Sequence, residues 1–236
     1  MMKSNDKIDT SEEISLKLKD YLQARGVCDV GFAKVQDGVS GLQNAVSIVV
    51  PLSDAIIDEI ENAPTHTYFN HYRTVNAFID RLLLEAGLFL QRQGYKYITI
   101  AASQTINNGE GRTHMGRYSH KKAAVLAGLG VIGRSSLFIH SVYGASVRLG
   151  TLFTDCPLSE NETNLSIVES KCGECDLCVK ACPANAIKGV EWHLGISRDE
   201  IFDANACNNY MRQHFMGIGR GSVCGICVKV CKRGTK

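Results

Sequence analysis

The cysteines in the last third of the chain constrain its fold more than any other feature. The 236 residues include ten cysteines, and eight of them lie after residue 170. The segment CGECDLCVKACP has the pattern C-x2-C-x2-C-x3-C-P, with its cysteines at Cys172, Cys175, Cys178 and Cys182. In this spacing three thiolates bind one 4Fe–4S cube and the fourth binds a different cube. The sequence therefore predicts two iron–sulfur clusters.

A second, shorter run supplies the remaining ligands. The segment CGICVKVC contains Cys224, Cys227 and Cys231, and it repeats the first run without its first cysteine. Cys207, in NACNNY, is the nearest upstream replacement. With it, eight cysteines complete two cubes. One cluster is predicted to bind Cys172, Cys175, Cys178 and Cys231, and the other Cys182, Cys207, Cys224 and Cys227.

Zinc is the alternative, because C-x2-C pairs also bind zinc. Two such pairs need only four ligands, which leaves Cys178, Cys182, Cys207 and Cys231 without a role. The two cysteines outside the runs, Cys28 and Cys156, are predicted to be buried small hydrophobes rather than catalytic thiols.

Charge and hydropathy argue against several classes of partner. The formal net charge of +2 is too small to indicate nucleic acid or an anionic membrane. No apolar run approaches the roughly 20 residues that span a bilayer. The polar N-terminus, MMKSNDKIDTSEE, lacks the apolar stretch of a signal peptide. We therefore expect a cytoplasmic protein that has no membrane partner.

The residues before the cysteine runs alternate between helical and strand patterns. Thr10 and Glu13 form a possible capping box, and a helical pattern extends from about Thr74 to Gln93. Such alternation is typical of an α/β or α+β domain with a central sheet. The predicted class is α+β. An N-terminal α/β-type sheet domain (residues 1–160) is followed by a bacterial ferredoxin-like double 4Fe–4S cluster domain (residues 161–236).

The segment AGLGVIGRSS contains G-x-G-x-x-G, the spacing of the dinucleotide-binding fingerprint. That fingerprint needs a strand before it and a helix after it. Here SHKKAAVLAGL, with Ser119 as candidate cap, is helical, and the following SSLFIH is extended. Two other interpretations remain: a glycine-rich turn between helix and strand, or a turn whose backbone approaches another flat cofactor.

These segments together resemble a known family. HKKAAVLAGLGVIGRSSLFIH, then LGTLFTDCPL, then the cysteine run are similar to epoxyqueuosine reductases and, more distantly, to reductive dehalogenases. The resemblance implies a corrinoid-reductase-like sheet domain, a base-off cobalamin, and clusters that relay electrons to cobalt. It also implies that the corrinoid is bordered by Gly128, Gly130, Gly133, Ser135 and Ser136.

Two departures limit the resemblance. The family's proposed proton donor is an aspartate, but TIAASQTINN has Ala101 or Ala102 at that position and Gln104 in place of a proline. The sequence also ends at Lys236, where the family continues into a region that helps engage tRNA. We therefore expect no tRNA partner and no reduction of epoxyqueuosine in tRNA by this chain.

The segment NNGEGRTHMGRYSH offers replacement groups for the missing acid. His114 and Glu110 are candidate proton donors, and Arg112 and Arg117 are candidate contacts for an anionic substrate or a corrinoid side chain. The alternative is a solvated loop without a catalytic role.

Three functional hypotheses follow. The first is a corrinoid-dependent reductase of a small molecule, supplied with electrons by reduced ferredoxin or flavodoxin. The second is an electron-transfer protein that passes low-potential electrons to a partner redox enzyme without a cobalamin of its own. The third is a flavin- or nicotinamide-linked iron–sulfur oxidoreductase.

Overall fold

The computed structural model describes residues 10–107, 109, 113–159, 172–193 and 195–231. Within these ranges the strands are β1 Asp29–Lys34, β2 Asn44–Pro51, β3 Tyr97–Ile100, β4 Gly130–Ile132, β5 Phe138–His140 and β6 Val147–Thr154. The longer helices are α1 Ser11–Gln23, α3 His66–Arg92, α4 His120–Leu126 and α7 Ala204–His214. The short helices are α2 Asp54–Asp58, α5 Leu177–Ala181, α6 Arg198–Ile201, α8 Met216–Gly219 and α9 Ile226–Lys229. The predicted domain boundary between residues 160 and 161 lies outside the described residues.

A four-stranded sheet forms the centre of the fold. Its strand order is β1-β2-β6-β3, and every neighbouring pair is antiparallel. The α+β class is thus confirmed. Antiparallel pairing also decides between the two classes that the alternating pattern allowed, because the parallel βαβ units of an α/β fold are absent from this sheet.

The sheet is covered on both faces, so its central strands β2 and β6 are buried almost throughout. Along β2, Val46, Ile48 and Val50 belong to a core with α1 and α3. Ala45 and Val49 point to the opposite face and belong to a second core with α4 and β5. This split follows from the two-residue period of a strand, which turns successive side chains to opposite faces.

The helix caps predicted from the sequence are present. Thr10 caps α1, and Glu13 completes the capping box. Ser119 caps α4 by accepting from the backbone N–H of Lys122. The predicted start of α3 near Thr74 was wrong, because the helix begins at His66 and is capped by Thr65. The turns of α3 before Thr74 place Tyr68 in the main core. They do not continue the row of apolar residues from which the helix was predicted.

The second cysteine run is attached to the sheet domain by apolar packing. Val223 and Ile226 share a core with Ile60 and Tyr68. Gly225 has φ of +82°, and a Cβ there would lie 2.7 Å from Ile60 Cδ1 and from Tyr68 Cε1. The backbone of this run therefore touches the side chains of the sheet domain directly.

None of the helices that the structure describes is long and apolar enough to cross a membrane.

The contact between α3 and β3 gives a test of the packing. A Cβ at Gly87 would lie 2.2 Å from two ring carbons of Tyr97. Gly87→Val should lower the free energy of unfolding by about 1–3 kcal/mol, because overpacking forces the ring to shift. Anaerobic urea unfolding of the cluster-loaded protein measures the change.

Gly217→Val is the matched control, because a Cβ at this helical glycine meets nothing within 4 Å. Its effect should stay within about 0.5 kcal/mol. Equal stability of the two variants would contradict the packing of Gly87 against Tyr97.

Candidate cluster sites and the adjoining cavity

The first group of cysteines lies around α5. Cys172 is buried, and its carbonyl accepts from the backbone N–H of Cys175 at 3.0 Å. Burial raises the pKa of Cys178, and the nearby thiols of Cys172 and Cys231 raise it further. Cys178 therefore interacts with a cysteine of its own run and with the last cysteine of the second run, as the crossed spacing predicts.

The second group brings together cysteines from α7, α9 and the end of the first run. Burial raises the pKa of Cys207 to about 12, and Cys224 and Cys182 add to the effect. Burial also raises the pKa of Cys227, with contributions from Cys224, Cys207 and Cys182. These interactions run mainly within the predicted second set, and the complete ligand assignments stay predictions.

The thiols are not gathered around a single point. In the described part of the chain, no three His, Cys, Asp or Glu side chains converge closely enough to hold one metal ion. This geometry alone does not select between zinc and iron–sulfur clusters.

Backbone N–H groups support one cysteine in each group. The N–H of Arg134 donates to Cys172 Sγ at 3.4 Å, and that of Ala186 donates to Cys182 Sγ at 3.3 Å. Hydrogen bonds of this kind to cluster sulfurs are among the factors that set the reduction potential.

Arg134 holds the first cysteine loop against the sheet domain. Its guanidinium donates to the carbonyl of Cys175 at 2.9 Å and to that of Gly173 at 2.7 Å. It also pairs with Glu191 at 2.7 Å. The Nε atom is buried without a hydrogen-bond partner among the described residues. Sequence reasoning gave Arg134 no role, although it lies directly after the last glycine of the motif.

The three glycines of the motif have packing roles within the chain. Gly128, with φ of +74°, lies just past the end of α4. Gly130 lies in β4, where a Cβ would be 2.4 Å from the carbonyl oxygen of Ile139. A Cβ at Gly133 would be 3.3 Å from Cys172 Sγ. The turn between helix and strand is therefore present at Gly128, whereas Gly130 lies in β4 and Gly133 in the turn of the β4–β5 hairpin. Contact of these glycines with a corrinoid stays a prediction.

The two predicted serines lie in the hairpin turn, but only Ser136 lines a cavity. Ser136 is buried, has φ of +60°, and lines the cavity described below. Ser135 is also buried, and its hydroxyl accepts from the N–H of Leu137 at 3.3 Å.

A cavity of about 600 Å³ opens beside this hairpin turn. Its basic side chains are Lys121, Arg148, Arg198, His114 and His120, and the described residues that line it include no Asp or Glu. Its apolar wall includes Met115, Leu137, Phe138, Ala145, Val147 and Leu149. The cavity therefore combines an apolar lining with an excess of positive charge.

Lys121 connects the cavity to the turn beside the first cluster. Its ammonium donates to the carbonyl of Ser136 at 2.6 Å and to the hydroxyl of the same residue at 3.0 Å. Burial lowers the pKa of Lys121 to about 8, and the charge of Arg198 contributes to the shift. The amine is therefore mostly protonated at pH 7 and loses its charge as the pH rises through 8.

His120 is held as a neutral ring. Its Nδ1 lies 2.8 Å from Thr151 Oγ1 and its Nε2 lies 3.0 Å from the carbonyl oxygen of Ala101. Burial lowers its pKa, and the charge of Arg148 lowers it further. Both ring nitrogens are thus occupied, so His120 shapes the wall without adding charge.

The alanines at the family's acid position line the cavity and carry no exchangeable side-chain proton. The N–H of Ala102 donates to Asp80 Oδ1 at 2.8 Å. Asp80 comes from α3, and no signal in the sequence pointed to it. Of the candidates in the following segment, His114 lines the cavity and its Nε2 lies 3.0 Å from Asn205 Oδ1.

The other candidates in that segment do not contact the cavity in the described part of the chain. Arg117 donates to Ser40 Oγ at 2.9 Å and is not among the cavity's lining residues. Glu110 and Arg112 lie outside the described residues.

A cleft of about 390 Å³ adjoins the cavity and shares Tyr72 and Ser103 with it. Its other side is formed by the segment before Cys224, including Ser222 and Val223. The segment that leads into the second cysteine run thus forms one side of the cleft.

The two cysteines outside the runs are not reactive thiolates. Burial raises the pKa of both Cys28 and Cys156 to about 11. Cys156 is fully buried, and Cys28 is half-buried with its thiol directed to the carbonyl of Val49.

Comparison with known proteins agrees with this geometry. Residues 171–234 match the family described as a 4Fe-4S double cluster binding domain. The C-terminal part is a double-cluster domain. Two 4Fe–4S clusters are therefore the cofactors of this segment.

The chain is also similar to parts of larger enzymes. It is 33% identical over 92 residues to an epoxyqueuosine reductase of Vibrio cholerae serotype O1, covering 39% of this chain and 21% of the relative. It is 30% identical over 128 residues to a tetrachloroethene reductive dehalogenase of Dehalobacter restrictus, covering 46% of this chain and 21% of the relative. The chain thus spans about a fifth of the length of these relatives.

The fold of the whole chain is also found in a solved structure. A reductive dehalogenase whose structure is described as suggesting a mechanism for B12-dependent dehalogenation is similar in fold, with a TM-score of 0.72 at 16% sequence identity. The similarity covers 98% of this chain and 33% of that one. The resemblance to both enzyme families is thus established at the level of fold and partial sequence.

Substitution of Cys207, which is predicted to complete the second cluster, tests that cluster. Cys207→Ser should reduce the iron content from about eight per chain to between about four and seven, because one cube loses a ligand. Iron analysis and EPR of the anaerobically reconstituted protein measure this. Cys156→Ser should leave the iron content and the EPR spectrum unchanged. Loss of iron in Cys156→Ser but not in Cys207→Ser would show that the eighth ligand comes from the sequence before the cysteine runs.

Arg134 gives a second test. Arg134→Gln should lower the midpoint potential of one cluster by roughly 60 mV, a tenfold change for one electron, because a nearby positive charge favours the reduced state. Arg134→Lys should retain most of the potential. EPR-monitored redox titration measures both values.

The exposed Arg81 on α3 provides the control for charge alone. Arg81→Gln should leave both potentials unchanged. Unchanged potentials in Arg134→Gln as well would show that the guanidinium does not influence either cluster.

Proposed function

We propose that this chain is an iron–sulfur reductase that works with a corrinoid on a small molecule. One observation carries the proposal: a single turn links the first cluster site to the cavity. The turn at residues 133–136 approaches Cys172 Sγ through Gly133 and reaches Lys121 through Ser136. An acceptor in the cavity is then separated from the first cluster mainly by this turn.

The relatives support an iron–sulfur reductase, and one solved relative is described as B12-dependent. The cavity of about 600 Å³ alone suits a small ligand, so a corrinoid would extend from it into the adjoining cleft of about 390 Å³, which shares Tyr72 and Ser103 with the cavity. The residues that would hold a corrinoid are Lys121, Ser136 and Arg148 in the cavity and Tyr72 and Ser103 where the two spaces meet. A bound corrinoid would supply a cobalt centre that passes electrons to the substrate.

The protein's own residues would bind, orient and protonate the substrate. The neutral His120 fixes the backbone at Ala101, and Asp80 fixes it at Ala102. His114 is the candidate proton donor that the described residues offer in place of the family's aspartate. A positioned acid is typically worth about 10²–10⁴ in rate, so its identity decides how effective the reductase is.

Cobalamin binding tests the proposal directly. Anaerobic protein with both clusters loaded should bind one cobalamin per chain and show the absorption bands of the base-off form. Absence of corrinoid bands with intact clusters would favour an electron-transfer protein without its own cobalamin, and flavin bands after purification would favour a flavin-linked enzyme. Either result would overturn the proposal.

A variant at the cavity rim locates the site. A Cβ at the exposed Gly116 has ordinary contacts at 3.5 Å and 3.6 Å, so Gly116→Trp should fold and fill part of the cavity. Cobalamin binding should weaken at least tenfold, because the indole occupies space that the ligand needs, while the cluster spectrum stays unchanged. Gly217→Trp, on an open surface, is the control. Equal binding by both variants would place the corrinoid elsewhere.

A further inference from the structure

We infer that a small acidic electron-carrier protein docks on the exposed end of α7, beside the second cluster site, and reduces that cluster. The docking surface comprises Arg212, His214, Met216 and Arg220, and we call it the α7 patch. The inference rests on the proposed function only in taking the clusters to be an electron relay. It does not depend on the corrinoid.

Charge is distributed unevenly along the chain. Residues 204–236 contain six Lys and Arg residues and no Asp or Glu. The first 203 residues hold the other 20 Lys and Arg against all 24 Asp and Glu, so the net charge of +2 combines a segment of +6 with a remainder of −4. The segment that carries the last four predicted cluster ligands therefore attracts an acidic partner.

The α7 patch forms where α7 meets the segment after α8. All four of its side chains are exposed, and Met216 has 48% of its surface accessible. A Cβ at Gly221 would lie 2.6 Å from Arg212 Cα, so the backbone next to Arg220 packs against the end of α7. Within the residues that the structure describes, neither Arg212 nor Arg220 forms an ion pair. Their charges are thus available to a partner.

The α7 patch lies close to the second cluster site. None of the α7 residues is buried, so the whole helix lies at the surface. Cys207, a predicted ligand, precedes Arg212 by five residues, which is roughly 8 Å along the helix axis. Tyr210 follows Cys207 by one turn and stacks on His214 with ring centroids 4.2 Å apart. A carrier on the α7 patch is therefore separated from the second cluster by short stretches of one helix.

This position fits the order of an electron relay. The turn at residues 133–136 links the first cluster site to the cavity, which leaves the second site as the point of entry. The helices α5 and α9, which carry Cys178 and Cys227, pack against each other, so the two sites are neighbours. In each encounter the carrier would lose one electron and one cluster would gain it, with no bond broken and no proton required.

The composition of the α7 patch favours a protein over a nucleic acid. Met and Arg are enriched in protein interfaces, and complexes for electron transfer bury less surface than most others. A nucleic-acid site instead neutralises several phosphates with many cations. Two arginines beside an exposed Met216 therefore suit a transient contact with a carrier protein.

Charge reversal in the α7 patch tests the docking. The probe is reduced plant-type 2Fe–2S ferredoxin, an acidic protein, mixed anaerobically by stopped flow with the oxidised, cluster-loaded and cobalamin-free protein. The bimolecular rate constant of cluster reduction should fall at least tenfold between about 20 mM and 300 mM salt, because salt screens the attraction. Arg212→Glu should lower it at least fivefold at low salt, whereas Arg212→Lys, which keeps the charge, should retain it.

Arg92→Glu is the matched control, because Arg92 is an exposed arginine in the last turn of α3, as Arg212 is in the last turn of α7. It should leave the rate constant unchanged. Reduction by the methyl viologen radical, a small cation that needs no docking surface, should not be slowed in any variant. Cluster absorption and the Tm report whether each variant is folded. A rate constant that is insensitive to salt, or equal in Arg212→Glu and the parent, would overturn the inference.

Two further results separate this inference from its alternatives. An RNA stem-loop that binds the parent but not Arg212→Glu, together with unchanged reduction by ferredoxin, would assign the α7 patch to RNA and overturn the carrier site. Failure to bind cobalamin would overturn the proposed function alone, because cluster reduction is measured without cobalamin. Conversely, cobalamin binding with no effect of Arg212→Glu on reduction would overturn the carrier site alone.

Discussion

The hydrogen bonds of Arg134 connect the two halves of this protein. Arg134 lies in the turn of the β4–β5 hairpin, and its guanidinium donates to two carbonyls of the first cysteine loop. Its backbone N–H contacts Cys172 Sγ, and its charge is balanced by Glu191. The Arg134 side chain is 15% exposed, whereas that of Glu191 is 43% exposed. Arg134 therefore links the first cysteine loop to the sheet domain through two carbonyls and one partly exposed ion pair.

Around this connection, the same short segments contact both the cysteine runs and the ligand space. Ser136 is part of the cavity, while Gly133 in the same turn touches Cys172. On the other side, Val223 belongs both to the main core and to the cleft that borders the second cysteine run. The redox centres and the ligand space are thus built from the same short segments.

The sequence was informative where the determinants are local. Cysteine spacing predicted the double-cluster domain, and the caps at Thr10 and Ser119 were confirmed because a cap depends on residues three or four positions apart. The glycine motif was ambiguous, because a glycine needed for close strand packing has the same spacing as one that faces a cofactor. Gly130, in close contact with β5, illustrates the difficulty.

The long-range polar contacts were not predictable from the sequence. Lys121 and Ser136 meet through the β4–β5 hairpin, and Asp80 reaches Ala102 from another helix. No periodicity or spacing encodes such pairs, because they depend on how the elements pack. The start of α3 was missed for a similar reason, since the burial of Tyr68 depends on the distant segment around Gly225.

The packing of Gly225 against Ile60 and Tyr68 has a consequence for the second cluster site. These apolar contacts bury the backbone of the second cysteine run against the sheet domain. Hydrophobic burial therefore adds to the bonds between thiolates and iron in holding this run in place. Ile60 and Tyr68 thus support the second cluster site, although neither of them is a ligand.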